Sequence, residues 1–298
     1  MEVRTLKPNL TFRKVSPKDF MFINELLKSR GMLLGYPNCE SMDEIIKELK
    51  VFENTIENCL NLIVHEEEII GIGGLFYTEG DSEAMLFGPI LAPVYHQKKY
   101  MKNVVEKLET CCVRGVNKIE AVISSENTLL RECLEEIQWC KKESQLQMER
   151  IVLDVENGPS NFDIHPIIEI SEIVSMFHLL DEAFYWDGHT ERMEELLEQG
   201  FEMVCAKDSQ GHVLGVMSWS LINNEKVDLE YIVVNPKVRR QGVATSLLYY
   251  LFNWCHEHHA HEITLLTGLD NPAIQLYKSL GFLEVMMSTI YEKYCFND

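Results

Sequence analysis

Several short, largely apolar stretches bounded by turn residues predict strands along the chain. In the first half they are Asn61 to His65, Ile69 to Tyr77 and Ala84 to Ala92. In the second half they are Phe201 to Ala206, Val213 to Leu221 and Val227 to Val234, with DSQGH and NNEK as the turns between them. A shorter strand precedes each set, at Leu10 to Val15 and at Ile164 to Ile170. Ser16 and Ser171 stand where helix N-caps are expected. After each set comes a proline, a loop and a helix with one apolar stripe: Val104, Val105 and Leu108, then Leu247, Leu248 and Leu251. Each half then runs strand, helix, strand. The expected fold is α/β (α+β): two domains, each a mixed, mostly antiparallel sheet flanked by helices.

The halves read as a diverged repeat. LFGPILAPVYHQKKYMKNVVEKLETCC at 86–112 lies against LEYIVVNPKVRRQGVATSLLYYLFNWC at 229–255. Leu86 falls opposite Leu229, Pro93 opposite Pro236 and Cys112 opposite Cys255, each 143 positions apart. The polar stretch VENGPSNF, with its glycine and proline, reads as a connection. The expected division is a first domain over 1–155, a linker over 156–163 and a second domain over 164–298.

Composition narrows the function. The 298 residues are 46% hydrophobic and 25% charged, which excludes a disordered or low-complexity chain. No apolar run approaches the length of a membrane span, and the start lacks the apolar core of a secretory signal. A cytoplasmic, non-membrane protein is expected, as a monomer or homodimer. The net charge of -20 repels phosphate backbones and argues against nucleic acid as a partner. Nine cysteines without a C-x-x-C pair read as reduced thiols, and the adjacent Cys111 and Cys112 suit neither an ordinary disulfide nor a zinc knuckle. Residues 1–150 hold 19 Lys+Arg against 24 Asp+Glu, and the remainder 8 against 23. Three of those eight are Lys237, Arg239 and Arg240, a local anion-site signal in an acidic domain.

That signal lies in VDLEYIVVNPKVRRQGVATSLLYYL, 227–251. Asn235-Pro236 closes the strand. The helix after RRQGVAT offers unpaired backbone N–H groups and the positive end of its dipole. Gly242 leaves room for close approach, Ala244 keeps the surface small, and Thr245 and Ser246 add hydroxyls. These are the parts of a phosphate or pyrophosphate cradle. Downstream, GLDNPAIQLYKSLGFLEV places Pro272 in a first helical turn. It gathers Ala273, Leu276, Tyr277 and Leu280 on one face and ends the helix at Gly281.

VNP at 234–236, RRQGVA at 239–244 and NPAIQLYKSLGF at 271–282, in that order, resemble the GNAT acetyltransferase superfamily. The motifs cover about a quarter of the chain, and the strand order extends the resemblance over 164–298. The resemblance implies an acetyl-CoA-dependent N-acetyltransferase acting on an amine of a small molecule or peptide by direct attack in a ternary complex. A non-catalytic acyl-CoA-binding regulatory protein is the alternative. It implies that backbone groups of Ile232, Val233 and Val234 hold the pantetheine arm where the strand bulges. It implies that Arg239, Arg240, Gln241, Gly242, Val243, Ala244 and Thr245 hold the pyrophosphate. Asn271 contacts the cofactor or fixes its turn, and Tyr277 protonates the departing thiolate. Asp228 and Glu230 alternate on the strand and are read as sharing a face with Ile232 and Val234. Asp228 draws the acceptor's proton, directly or through water, or the two carboxylates first bind the cationic amine. FYWDGH at 184–189 falls where the family binds its acceptor, so Phe184, Tyr185, Trp186 and Asp187 are candidate pocket residues.

The first half departs from this pattern. HQKKYM replaces RRQGVA, setting Lys99 at the Gly242 position and Met101 at the Ala244 position. Leu134 falls near the tyrosine position, and Gln138-Trp139 replaces Gly-Phe. It reads as a degenerate copy whose bulky side chains fill the cradle. GIGG at 71–74 lies inside a strand and reads as a bulge or close-packing site. HEHHAH, holding His256, His258, His259 and His261, lacks a completing ligand set and reads as a solvated helix end, so no metal is expected.

Overall fold

Antiparallel pairing of these stretches builds a sheet in each half. The computed structural model describes residues 8–30, 33–159, 162–184, 200–223 and 225–295. The chain divides into two units, Met1–Gln145 with Met286–Asp298, and Leu146–Val285.

In the first unit β1 (Leu10–Lys14), α1 (Phe20–Arg30), β2 (Leu34–Tyr36), α2 (Met42–Val51) and α3 (Ile56–Cys59) precede the main strands. These are β3 (Leu60–His65), β4 (Glu68–Phe76) and β5 (Glu83–Leu91), in the order β1-β3-β4-β5 and all antiparallel. Then come α4 (Lys98–Glu109), β6 (Lys118–Ser124), α5 (Thr128–Glu136) and the first part of β7 (Cys140–Ile151). β5 and β6 run parallel. GIGG fulfils both of its expected roles. The β4–β5 register shifts between Ile72 and Gly74, and a Cβ on Gly74 would lie 1.8 Å from the Cys59 carbonyl oxygen.

The second unit takes the end of β7, then β8 (Asp163–Pro166), α6 (Ile170–Phe184), β9 (Glu202–Lys207), β10 (Val213–Asn223) and β11 (Lys226–Val234). α7 (Val243–Glu257), β12 (Glu262–Gly268) and α8 (Ala273–Ser279) follow. β8 to β11 are antiparallel neighbours, and β12 joins β11 in parallel. One face buries Val227, Leu229, Leu247, Leu251, Phe252 and Phe282 under α7 and α8; the other buries Met176, Leu180, Cys205, Val216 and Val233 under α6.

The repeat holds at residue level. β5 and β11 begin and end 143 positions apart, and so do the 3-10 turns Pro93–Tyr95 and Pro236–Val238. Three features differ from the sequence reading. The strand expected to reach Ile170 stops at Pro166, and α6 starts at Ile170, so Ser171 is no cap. Glu172 does that work, accepting the backbone N–H groups of Ile168 at 2.9 Å and Glu169 at 3.0 Å. The units divide inside β7, between Gln145 and Leu146, rather than at 156–163. The chain's last strand, β13 (Leu283–Tyr294), lies antiparallel on β6 from Ser288↔Ser124 to Tyr294↔Lys118, which places Met286–Asp298 in the first unit. The segment read as a linker is fastened to α7. The Glu156 N–H donates to Asn253 Oδ1 at 3.0 Å, the Asn253 amide donates back to the Glu156 carbonyl at 3.2 Å, and Gly158 packs on the Tyr249 ring.

Candidate active site

A gap opens in the second unit where β11 and β12 part. Their parallel register runs from Lys226↔Glu262 to Leu229↔Leu265 and goes no further. From Tyr231 to Val234 the strand keeps β10 on one edge and lacks β12 on the other. Backbone groups on the open edge can take a third, extended chain as a partner. Ile232, Val233 and Val234 line this edge.

The strand reaches the gap through a bulge. Tyr231 pairs with Ser218 and Leu229 with Trp219, so Glu230 is the extra residue. The bulge reverses which side chains face α7. Val227 and Leu229 pack into the α7 core before it, and Ile232 and Val234 after it. Asp228 therefore lies on the opposite, α6 face, with Tyr231 and Val233. The expectation that Asp228 shares a face with Ile232 and Val234 is corrected, because simple alternation fails at a bulge.

The glycine loop leads into α7 as the motif requires. Gly242 is the N-cap, with φ +90°, and an added Cβ would meet nothing within 4 Å. The backbone needs glycine there and the space beside it is open. Arg240 is left-handed as well, with φ +63°, and Arg239 donates from Nε to the Val234 carbonyl at 3.2 Å. Arg239, Arg240 and Gln241 are exposed, Ala244 and Thr245 are partly exposed, and Val243 turns its side chain into the core. The first-turn N–H groups of Val243, Ala244 and Thr245 thus open onto a cradle with positive charge at its rim. Ser246 does not join it; its buried hydroxyl donates to the Pro159 carbonyl at 3.1 Å.

Tyr277 lies on α8, the helix that follows β12. It is buried, its ring meets Phe282 edge-on at 5.6 Å, and burial pushes its phenol up to about 12. A phenol so raised stays protonated at neutral pH. Gly281, with φ +86°, closes the helix. The Phe282 N–H donates to the Tyr277 carbonyl at 3.0 Å and the Gly281 N–H to that of Lys278 at 3.1 Å. Asn271 fixes the turn before the helix, donating to Thr267 Oγ1 at 2.9 Å and accepting from the Ala273 N–H at 2.9 Å.

Two acids at the bulge are shifted upward. Burial, then the Glu230 charge, raises Asp228 to about 6, against a small pull from Lys226. Desolvation raises Glu230, and a hydrogen bond from Tyr231 holds it back. Phe184 meets the Tyr231 ring at 5.4 Å. Tyr185, Trp186 and Asp187 lie outside the described residues. Sequence reasoning missed Ser218, buried on β10 opposite Tyr231, whose hydroxyl has no hydrogen-bond partner among the described residues. A lone serine inside an apolar strand gives no signal of its own.

The first unit answers each of these features differently. Pro89, 143 positions before Ile232, has no N–H to offer a pantetheine arm. The gap between β5 and β6 is filled by β2, which pairs Leu34 with Ile123 and Tyr36 with Val122. Gly35 lies so close that a Cβ would come 2.4 Å from the Val122 carbonyl oxygen. Asn127 donates to the Leu33 carbonyl at 3.1 Å, securing this plug. The expectation that Lys99 and Met101 fill the cradle is corrected. Met101 is fully buried in the core, Lys99 lies over the Tyr100 ring at 4.7 Å, and the loop itself has become helix, since α4 starts at Lys98. Leu134 takes the Tyr277 place, because the Trp139 N–H donates to its carbonyl at 2.9 Å.

The Acetyltransferase (GNAT) family pattern matches residues 173–282, and an Acetyltransferase (GNAT) domain pattern matches residues 9–138. The chain belongs to the GNAT acetyltransferase family. It is a tandem GNAT protein. A GCN5-related N-acetyltransferase from Sphaerobacter thermophilus shares its fold with TM-score 0.69 at 14% identity, over 96% of this chain and 95% of that one. A tandem GNAT protein from the clavulanic acid biosynthesis pathway gives TM-score 0.59 at 13% identity, over 97% and 99%. The Cysteine-rich protein 2-binding proteins of Mus musculus and Homo sapiens are 30% identical over 114 residues. Those matches take in 38% of this chain and 14% of either relative, so the GNAT chain corresponds to a minor part of their length.

Other candidates fall away from this GNAT site. Among the described residues one group of three metal-ligating side chains gathers, His165, Glu172 and Cys205. Lys207 already pairs with Glu172, beside His165 at 2.9 Å, so the buried carboxylate is satisfied without a metal. His258 stacks on Trp254 at 4.0 Å and bonds its carbonyl, and the other histidines of HEHHAH join no such group. No described helix is long and apolar enough to cross a membrane.

Proposed function

We propose that the second unit is an acetyl-CoA-dependent N-acetyltransferase acting on an amine of a small molecule or peptide, and that the first unit is a cofactor-free copy. The observation that carries this reading is the presence of three parts in one unit: the open β11 edge, the left-handed Gly242 N-cap with open space beside it, and the protonated Tyr277 phenol on the next helix. The open space beside Gly242 fits a pyrophosphate. Ile232, Val233 and Val234 would hold the pantetheine arm, and the backbone from Arg240 to Thr245 the phosphates, with Arg239 and Arg240 adding charge. Acetyl-CoA supplies an activated acetyl thioester.

The chain's own residues handle the protons. An ammonium has no lone pair, so the acceptor must be deprotonated before attack. Asp228, raised to about 6, is ionised at neutral pH and basic enough to draw that proton, directly or through water. Glu230 adds a second negative charge that holds a cationic amine near the strand. Tyr277 retains its proton for the departing sulfur. A purified full-length chain given acetyl-CoA and a panel of amines should release free CoA only with an acceptor present. Tight acetyl-CoA binding with no CoA release across the panel would favour a regulatory acyl-CoA-binding protein instead.

A further inference from the structure

Cys112 follows α4 in the first unit, and Cys295 follows β13 in the same unit. They lie 183 positions apart in sequence, and their Sγ atoms are 3.4 Å apart. Both are partly buried against the first unit's core. Backbone hydrogen bonds anchor the main chain of both residues. The Cys295 N–H donates to the Asn117 carbonyl at 2.8 Å, and the Cys112 N–H to that of Glu109 at 3.4 Å. Cys112 has no partner in its own stretch of sequence, since Cys111 is its neighbour; folding supplies one from the far end of the chain.

We propose that Cys112 and Cys295 form a thiol modification site that a small dialkyl disulfide converts to an intrachain disulfide, stapling the C-terminal strand to the first unit. The Cys112 sulfur attacks the small disulfide, R–S–S–R, giving Cys112–S–S–R and releasing one R–SH. The Cys295 sulfur then attacks the Cys112 sulfur and expels the second R–SH. Two protein thiols are oxidised, one small disulfide is reduced, and the two thiol protons leave on the two R–SH products. Burial, then the adjoining Cys295 thiol, pushes the Cys112 thiol above the ordinary thiol range, so little of it is thiolate and the reaction is slow. The link would restrain the one strand of the first unit that arrives from the opposite terminus. It closes a loop long enough for a large effect on the unfolded chain.

The full-length protein is incubated with oxidised glutathione, quenched in acid and mapped by mass spectrometry. The expected product has lost two hydrogens, carries no glutathione and yields one peptide joining Cys112 to Cys295. Its thermal midpoint rises by about 4 °C or more and returns on reduction. Cys111→Ser retains the link, whereas Cys112→Ser and Cys295→Ser each abolish it. Stable glutathione adducts in place of the link overturn the proposal, and so does a different cysteine pair. It is equally overturned if the folded chain forms no link, or if the midpoint does not move.

Discussion

Asp228 and Ile232, four positions apart on β11, face opposite sides of their sheet, because Glu230 is an unpaired bulge residue between them. The open strand edge and the acidic face are thereby separated. Ile232 and the residues after it present backbone to the gap, while Asp228 stands on the α6 side, where Phe184 meets Tyr231.

Asp228 should set the acid limb of activity. Its folded value is about 6 against an ordinary 3.8, so it is protonated and useless as a base as pH falls through 6. The expected kcat/KM rises through that pH to a plateau, and Asp228→Asn lowers the plateau by about 10²–10⁴. The sign for stability is opposite to that of a salt-bridged acid. Between pH 4 and 6 the folded state binds more protons than the unfolded one, so stability falls as pH rises through this window. Asp228→Asn should therefore be at least as stable as wild type at pH 7. Denaturant titration at both ends of the window checks this.

Tyr277→Phe keeps the ring against Phe282 and removes the proton donor. Turnover should fall by about 10²–10⁴ while acetyl-CoA affinity stays within a few-fold. Turnover near that of wild type would reduce Tyr277 to a packing residue.

Calorimetry should find one acetyl-CoA site per chain. Gly242→Trp should lose it, since the side chain would fill the open space beside the helix N-terminus and φ +90° suits only glycine well. A second site of equal affinity would contradict the filling of the first unit's gap by Leu34 to Tyr36.

Gln138 closes α5 in a left-handed conformation, φ +65°, where Gly281 closes α8. It is exposed and its backbone already makes the cap bond. Gln138→Gly should stabilise the protein by about 1 kcal/mol, measured by urea unfolding, because the strain of a Cβ in that conformation is released. A loss of stability would mean that the side chain packs in a way its exposure hides.

Residues 164–298 expressed alone should be poorly soluble. They lack Leu146, Met148 and Val152, which the second unit buries, and they carry Met286–Asp298 without β6 to pair it. Solubility and thermal midpoint against the full chain decide this; an equally stable fragment would show that these residues are dispensable.

Local chemistry was legible in the sequence. The strands, the 143-residue repeat, Gly242 ahead of α7, Pro236 ending β11 and Gly281 ending α8 all follow from backbone preferences that neighbouring residues set for themselves. The same holds for Leu134 in the tyrosine's place, since an identical cap positions both. Tertiary structure decided what depends on distant partners. Glu230 became a bulge only through its register against Ser218 and Trp219, which turned Asp228 to the other face. Leu34 to Tyr36, too short for any periodic signal, became a strand because the parting of β5 and β6 left backbone groups of Val122 and Ile123 to be satisfied. Ser246, expected at the cradle, turned to Pro159 because the segment before β8 packs along α7. The final strand joined the first unit because β6 offered it a full antiparallel edge, a partnership between residues more than 160 positions apart that no local pattern records.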